Sequence, residues 1–395
     1  MPPVSTSPTV RLTALDPAVA RLVRSSHSLI AGLQTPEGAY PASPAFPAYE
    51  GYCWFRDGAF IADAMSAYGD DGSATGFFDW CARAIVARRD HIHWIVDETR
   101  AGRPPAGERM LPARFTFAGD DGADEWWDFQ LDGYGTWLWA LGQHVGRFEI
   151  DASPWLPAVE LTVDYLLASW SRPCYDWWEE HSEAVHVSTL TCIAAGLQAV
   201  ADAGLVDPSR SEAIVAAVRD IRNLIELRGT RDGHLVKWLD VAAVDGSLAS
   251  AIAPLGLVDA TSDLAGRTID IIERHLTVGG GVHRYLGDTF FGGGQWPLLS
   301  CFLGLAHAAR GDRDRAAELL AWAVATANAQ SEVPEQVDHH LIAPGMRQEW
   351  VDRWGPVATP LLWSHAMIIR LAVELAADDT DDTDDTDDTH EGSAR

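Results

Sequence analysis

The sequence predicts an all-α protein that folds as an (α/α)6 barrel, a single domain in which twelve helices alternate between an inner and an outer ring. Three observations favour this fold. Apolar residues recur with helical spacing in twelve segments, and we find no convincing run of the period-two alternation that marks a half-buried strand. Even-numbered segments are apolar almost all round, whereas odd-numbered ones carry charge on one face, as buried and surface helices do. Aromatic and acidic residues cluster just before each even-numbered segment.

The helical segments follow one another along the whole chain, and some begin at a clear start signal. Asp16 is a cap before the first segment, and Asp207 with Pro208 supplies a cap and a first helical residue for the seventh. The tenth contains "LLSCFLGLAHAA", typical of a buried helix, whereas the seventh reads "PSRSEAIVAAVRDIRNLIELR", typical of a surface helix. The twelve predicted segments cover approximately residues 17–33, 57–69, 73–89, 132–147, 154–171, 187–204, 208–228, 247–257, 261–277, 296–310, 312–329 and 359–377.

Composition and charge exclude several classes of protein. The chain has 395 residues, of which 47% are hydrophobic and 22% charged, as in a soluble globular protein. A formal net charge of -28 argues against nucleic acid or an anionic membrane as partner, because both would be repelled. We expect two parts, a barrel domain over residues 1–377 and a disordered acidic tail over residues 378–395, where the low-complexity "DDTDD" repeat lies.

Targeting and redox signals favour a cytoplasmic protein. The N-terminus lacks the basic start, apolar run and cleavage site of a secretory signal, and no apolar stretch is long enough to span a bilayer. The five cysteines are an odd number and show no CxxC spacing, which argues against a disulfide framework or structural zinc. The pairs His91 and His93, and His339 and His340, lack a third spaced ligand, so we expect no metal and no cofactor.

The segments that precede the six even-numbered helices should meet at one end of the barrel. Inner helices of such a barrel all run in the same direction, so the connections at their N-termini lie together. These segments are rich in tryptophan, carboxylate and arginine, a combination that suits a neutral polyol such as a sugar. They are "YEGYCWFRDG", "EWWDFQLDGYG", "CYDWWEEHSE", "KWLDVAAVDG", "RYLGDTFFGGGQW" and residues 334–360. The sequence therefore predicts a sugar-binding pocket.

Two carboxyl groups in this pocket fit the requirements of glycoside hydrolysis. One carboxyl group must protonate the leaving oxygen while another acts on the opposite face of the sugar. Glu179 and Glu335 lie on different segments, whereas Glu179 and Glu180 are adjacent and cannot flank a ring. The indoles beside Glu179 would favour its protonated form. A simpler interpretation of the pair is a helix start, where acidic residues complement the helix dipole.

Six motifs in order resemble glycoside hydrolase family 15, the glucoamylase and glucodextranase family. They are "WFRDGAF", "QLDGYG", "YDWWEE", "HRYLGDTFFGGGQW", "PEQ" and "ATPLLWSHA", within a resemblance that spans about residues 45–375. The resemblance implies an (α/α)6 barrel and hydrolysis with inversion at the anomeric carbon. It also implies that β-glucose is released from the non-reducing end of the substrate.

The resemblance also implies roles for individual residues. Glu179 matches the general acid, Glu335 the general base, and Tyr49 the tyrosine that holds the nucleophilic water, with Tyr52 as second choice. Phe290 stands where the family often has a tyrosine, so we expect Tyr49 to be freer than usual and to share in proton transfer. The positions that match substrate-binding residues are Arg56, Asp57, Trp126, Trp178, Glu180 and Arg284.

Several alternatives remain open at this stage. Arg56 and Asp57 could form a salt bridge that caps the second helix, and Tyr49 and Trp126 could be packing residues. A cytoplasmic enzyme without accessory domains would act on short oligosaccharides, and the chain most resembles the isomaltose glucohydrolase branch. The runner-up is an exo-α-glucosidase for α-1,4 oligosaccharides or trehalose. A sugar-binding protein without catalysis is an alternative of another class.

Overall fold

The computed structural model describes residues 15–126 and 128–377, so the predicted acidic tail lies outside the described residues. The helices of this part are α1 (Pro17–Leu33), α2 (Phe55–Tyr68), α3 (Asp71–Val86), α4 (Arg89–Arg100), α5 (Asp132–Phe148), α6 (Leu156–Ser169), α7 (Val187–Asp202), α8 (Pro208–Arg228), α9 (Asp263–Leu276), α10 (Pro297–Ala309), α11 (Arg313–Ala325), α12 (Arg347–Trp354) and α13 (Leu362–Ala377). None of these helices is long and apolar enough to cross a membrane.

The helices form two concentric rings, which confirms the predicted (α/α)6 barrel. Around the inner ring, α2 packs on α5, α5 on α7, α7 on a 3-10 helix over Gly246–Ala251, this helix on α10, α10 on α13, and α13 on α2. Helices α1, α3, α6, α8, α9 and α11 surround this ring. Eleven of the thirteen residues of α10 are buried but only five of the twenty-one of α8, which is the predicted contrast between inner and outer helices.

Three elements differ from the prediction. The eighth segment, which completes the inner ring, is a 3-10 helix rather than an α-helix, and Pro254 just beyond it has no N–H to continue a helix. Helices α4 and α12 were not predicted. Both helices are polar overall and bury few residues, Ile92, Ile95 and Val96 in α4 and Trp350 in α12, so little apolar sequence marks either segment.

Short strands brace the connections that lead into the inner helices. Strand β1 (Tyr52–Trp54) pairs antiparallel with β2 (Arg114–Thr116) and runs directly into α2. Strands β3 (Thr230–Arg231) and β4 (His234–Leu235) form a hairpin, and β5 (Thr277–Val278), β6 (Gly281–His283) and β7 (Gln295–Trp296) form a small sheet that leads into α10. Backbone pairing therefore fixes Trp54 and Trp296 just before two inner helices.

Glycine allows two inner helices to approach closely. A Cβ atom at Gly135 of α5 would lie 2.4 Å from the carbonyl oxygen of Cys192 in α7, and one at Gly196 would lie 2.2 Å from the carbonyl oxygen of Gly135. Both contacts are with backbone, which cannot move aside as a flexible side chain can. The absence of a side chain at these two positions sets the spacing of α5 and α7, and α7 begins at the candidate site described below.

We predict that Gly135→Ala destabilises the protein, because the added methyl group collides with the α7 backbone. The expected loss is about 1–3 kcal/mol in the free energy of unfolding, the range for overpacked cores. Gly146→Ala is the matched control in the same helix, since nothing lies within 4 Å of its Cβ position. This control should be neutral or stabilising by about 0.4–1 kcal/mol. Urea denaturation of both variants measures the difference, and equal stability would contradict this account of the α5–α7 contact.

Candidate active site

A cavity of about 360 Å³ opens at the end of the barrel where the inner helices begin. All nine residues predicted for the site line it: Tyr49, Arg56, Asp57, Trp126, Trp178, Glu179, Glu180, Arg284 and Glu335. Eight tryptophans line the same cavity, namely Trp54, Trp126, Trp177, Trp178, Trp296, Trp350, Trp354 and Trp363. Five of the six predicted loop segments contribute to the wall, and the fourth, residues 237–246, lies behind it.

Glu179 projects into the cavity from a tight turn, residues 176–180, which we call the Glu179 turn. Its backbone has a φ of 62°, in the left-handed region that is unfavourable for a residue with a side chain. Its Oε1 accepts hydrogen bonds from Trp54 Nε1 at 2.8 Å and from Gln130 Nε2 at 3.2 Å. Both donors meet at one oxygen, so the carboxyl group is held in one orientation and its Oε2 stays available for a ligand.

Trp54 and Gln130 are functional positions that the sequence reasoning missed. Trp54 donates to Glu179, and its ring lies 5.4 Å from that of Tyr49 between centroids. Gln130 accepts a hydrogen bond from Arg56 Nη1 at 2.6 Å while it donates to Glu179. Their presence in "WFRDGAF" and "QLDGYG" was a signal, but only the fold shows what they contact.

Glu335 lies buried in the same cavity, with only 3% of its surface exposed. Its Oε1 accepts a hydrogen bond from the Tyr49 hydroxyl at 2.8 Å, and among the described residues its buried Oε2 has no hydrogen-bond partner. Burial raises the pKa of Glu335 to about 7, although the Tyr49 hydroxyl and the Arg284 charge oppose the rise. Burial and the charges of Glu335 and Glu179 raise the pKa of Tyr49 well above its ordinary value, so this phenol is a proton donor.

Arg56 and Asp57 form the ion pair considered from the sequence and also lie in the cavity wall. Arg56 Nε lies 3.3 Å from Asp57 Oδ2, and Arg56 Nη1 lies 3.2 Å from Asp132 Oδ2, so an ion pair does form at the start of α2. Both residues also line the cavity. Burial raises the pKa of Asp57 to about 6 despite the opposing charge of Arg56. The contact with Arg56 Nε lacks hydrogen-bond geometry, so within the described chain Asp57 Oδ2 has no hydrogen-bond donor and can accept one from a ligand hydroxyl.

Arg284 forms a further part of the cavity wall. Its Nε and Nη2 donate to the two oxygens of Asp288 at 2.8 and 2.5 Å, and Nη2 lies 3.6 Å from Glu180 Oε1. Tyr285 donates a hydrogen bond to Glu180 Oε2 at 2.5 Å. The guanidinium carbon lies 5.2 Å from the centroid of the Trp178 ring. These contacts fix a cation and an aromatic face side by side.

A buried lysine behind the wall holds the Glu179 turn in place. Lys237 Nζ lies 3.0 Å from Asp176 Oδ2 and 2.6 Å from Asp245 Oδ2, and all three side chains are at most 3% exposed. Asp176 Oδ1 accepts the backbone N–H groups of Trp178 and Glu180, at 2.9 and 3.0 Å. Asp245 accepts from Trp178 Nε1 at 2.9 Å. The turn is thus clamped on both sides of Glu179, which offsets the cost of its backbone conformation.

Burial alone would favour the neutral form of Asp176, but the charges of Lys237 and His186, together with the hydrogen bonds that Asp176 accepts, outweigh burial and lower the pKa of this carboxyl group. The charges of Asp245 and Asp176 raise the pKa of Lys237 above its ordinary value, although burial opposes the rise. Asp176 and Lys237 are therefore both charged at neutral pH. The sequence did not reveal Lys237 as part of the site, because it acts on a different loop through Asp176 and Asp245.

No group of three or more histidine, cysteine, aspartate or glutamate side chains able to hold a metal ion occurs in residues 15–126 and 128–377. The two histidine pairs noted in the sequence lie elsewhere than the cavity wall, at exposed positions.

Comparisons with known proteins match the chain over most of its length. The family model described as "Glycosyl hydrolases family 15" matches residues 17–344. An isomaltose glucohydrolase of Kribbella flavida is 50% identical over 355 residues, which are 90% of this chain and 92% of that protein.

Solved structures also resemble the chain. A wild-type glycosidase, also solved as a Glu-to-Ala variant in complex with glucose, has a TM-score of 0.89 and 49% identity, with 91% of this chain and 99% of that chain covered. A glucoamylase from Saccharomycopsis fibuligera has a TM-score of 0.67 at 13% identity, with 91% and 94% covered, and so shares the fold.

Proposed function

Because the chain belongs to family 15 of the glycosyl hydrolases, we propose that it releases β-glucose, with inversion, from the non-reducing end of short α-1,6-linked glucosides such as isomaltose. One observation carries the proposal. Glu179 and Glu335 come from loops far apart in sequence and line one cavity, each with one carboxylate oxygen held by neighbouring side chains and one available to a ligand. Two carboxyl groups in separate positions are what glycoside hydrolysis requires, and inversion is what membership of family 15 implies.

Glu179 acts as the general acid in this proposal. The Trp54 and Gln130 donors hold Oε1, so the proton resides on Oε2 and faces the glycosidic oxygen. As the bond between the anomeric carbon and this oxygen breaks, the proton passes to the oxygen and the second sugar leaves as an alcohol.

Glu335 acts as the general base on the opposite face. Its available Oε2 accepts a proton from a water molecule as the water oxygen bonds to the anomeric carbon. Tyr49 assists this step, because its hydroxyl donates to Glu335 Oε1 and its oxygen can accept a hydrogen bond from the same water molecule. Phe290 has no hydroxyl with which Tyr49 could form a hydrogen bond, and the Tyr49 hydroxyl donates to Glu335.

The remaining wall binds the sugar. Asp57 accepts hydrogen bonds from hydroxyls of the terminal glucose, and Arg56 and Arg284 donate to its oxygens. Trp126 and Trp178 provide apolar faces for the ring, and the Glu180 carboxylate can accept a hydrogen bond from a sugar hydroxyl. The hydroxyls of the bound sugar thus replace water as hydrogen-bond partners of side chains that the fold already holds in position.

We also propose that the enzyme works in the cytoplasm on small oligosaccharides and not on nucleic acid. All five cysteines are free and buried, as is typical of a reducing compartment. The formal net charge of -28 would repel a nucleic acid.

Glucose release from isomaltose, maltose and trehalose tests the proposal, with isomaltose expected to give the highest kcat/KM. A higher rate on maltose or trehalose would transfer the assignment to the α-1,4 or trehalose reaction.

Glu179→Ala and Glu335→Ala should each lose at least about 100-fold in kcat, since each removes one proton-transfer step. Glu183→Ala is the control, because Glu183 is exposed in the same loop as Glu179. Binding of isomaltose without turnover by the wild type would indicate a sugar-binding protein instead.

Tyr49→Phe should move the acidic limb of the kcat/KM profile to higher pH. The base must be ionised, so activity falls as pH drops through the pKa of Glu335, which lies near 7. The Tyr49 hydrogen bond lowers this pKa, and its removal raises the pKa further. Profiles over about pH 4 to 9 measure the midpoint. Tyr52→Phe is the control, because Tyr52 donates to Asp124 outside the cavity wall. An unchanged or lower midpoint in Tyr49→Phe would refute the coupling of Tyr49 to Glu335.

A further inference from the structure

Helix α12, which the sequence did not predict, presents one side to the mouth of the cavity. Five residues at its start and along it line the cavity: Met346, Glu349, Trp350, Arg353 and Trp354. Their spacing of three and four places them on a single face of the helix. On the solvent face, Gln348 donates a hydrogen bond to Asp352 at 2.8 Å.

Trp350 fixes this helix against the pocket. It is 6% exposed, its ring stacks on Phe46 at 5.8 Å, and it meets the edges of Phe290 and Phe291 at 5.1 Å each. Its Nε1 is buried and has no hydrogen-bond partner in the described part of the chain. The helix is therefore anchored by aromatic packing, and a polar group at the anchor remains available beside the cavity.

Glu349 and Arg353 flank this anchor on the cavity side. Both are exposed, and neither has an ion-pair or hydrogen-bond partner among the residues described, although opposite charges four apart on a helix often pair. Together they carry no net charge, so they suit a neutral ligand. A sugar hydroxyl can donate to the carboxylate of Glu349 while another accepts from the guanidinium of Arg353.

The residues of α12 and the residues of the catalytic end lie at different depths in the cavity, and this difference indicates which sugar unit α12 would contact. Arg56, Asp57 and Glu335 are 5%, 8% and 3% exposed and form the deep end of the cavity, where the proposed function places the terminal glucose. Glu349 and Arg353 lie at the exposed mouth. A disaccharide that places its non-reducing unit deep must place its other unit near them.

We propose that α12 is part of the binding site for the leaving glucose, in which Glu349 and Arg353 hydrogen-bond its hydroxyls and favour a sugar as leaving group. This inference rests on the proposed function and assigns a substrate-binding role to residues outside the catalytic pair. The hydrogen bonds are made at an exposed surface, so each contributes modestly.

The experiment compares Glu349→Gln, Arg353→Met and the double variant on isomaltose and on α-glucosyl fluoride, whose leaving group is fluoride and makes no sugar contacts. The double variant should raise KM for isomaltose about three- to tenfold with kcat near wild type. Its kcat/KM for α-glucosyl fluoride should stay within about twofold of wild type on the same reasoning. Asp352→Asn is the matched control on the solvent face of α12 and should leave both substrates unaffected.

Two results would overturn the inference. An unchanged KM for isomaltose in the double variant would show that α12 does not bind the leaving sugar. An equal loss on both substrates would show that the residues support the whole site and not the leaving unit. Failure of the proposed function is a separate result, since it would appear in the wild type as no release of glucose from isomaltose.

Discussion

All six inner elements of the barrel begin at the same end, and this common direction is the constraint on which the site depends. The ring closes from α2 through α5, α7, the 3-10 helix, α10 and α13 back to α2. Closure brings Trp54, the Glu179 turn and Glu335 together although they are more than a hundred residues apart. The glycine contact between α5 and α7 keeps the ring narrow, and so keeps the loops close enough to share one cavity.

The convergence of these loops brings several carboxylates into a partly buried cavity and its wall. Buried cations offset the repulsion between them. Lys237 lies between Asp176 and Asp245, Arg284 pairs with Asp288, and Arg56 lies between Asp57 and Asp132. Asp57 and Glu335 receive less compensation, and burial raises the pKa of both. Both of these carboxyl groups line the cavity, whereas Asp176, whose pKa is lowered, holds the Glu179 turn behind the wall.

The two rings of helices and the pocket could be predicted from the sequence because both produce patterns among residues that are close together in the chain. Inner and outer helices differ in how much of their surface is apolar, and α1 and α8 begin at the predicted caps Asp16 and Asp207. Helix α12 was missed because Trp350 alone is buried in it, so no apolar period marks it.

Roles that depend on contacts between distant loops could not be predicted in this way. Lys237 acts through Asp176 on a turn some sixty residues away, and Trp54 reaches Glu179 from another loop. The left-handed backbone of Glu179 is likewise a product of the clamp around it and not of its own sequence. The resemblance of the motifs to family 15 nevertheless identified nine residues that line the cavity. A motif can identify such residues without showing which distant residues they contact.

In the proposed mechanism, Glu179 and Glu335 act on opposite faces of one bound glucose, with a water molecule between Glu335 and the sugar. Proton NMR of the first glucose released from isomaltose, recorded before mutarotation, tests this geometry directly. The account predicts the β-anomer, which requires the two carboxyl groups to be about 6.5–9.5 Å apart. Initial release of α-glucose would contradict it, because retention requires carboxyl groups about 5–5.5 Å apart and a covalent intermediate.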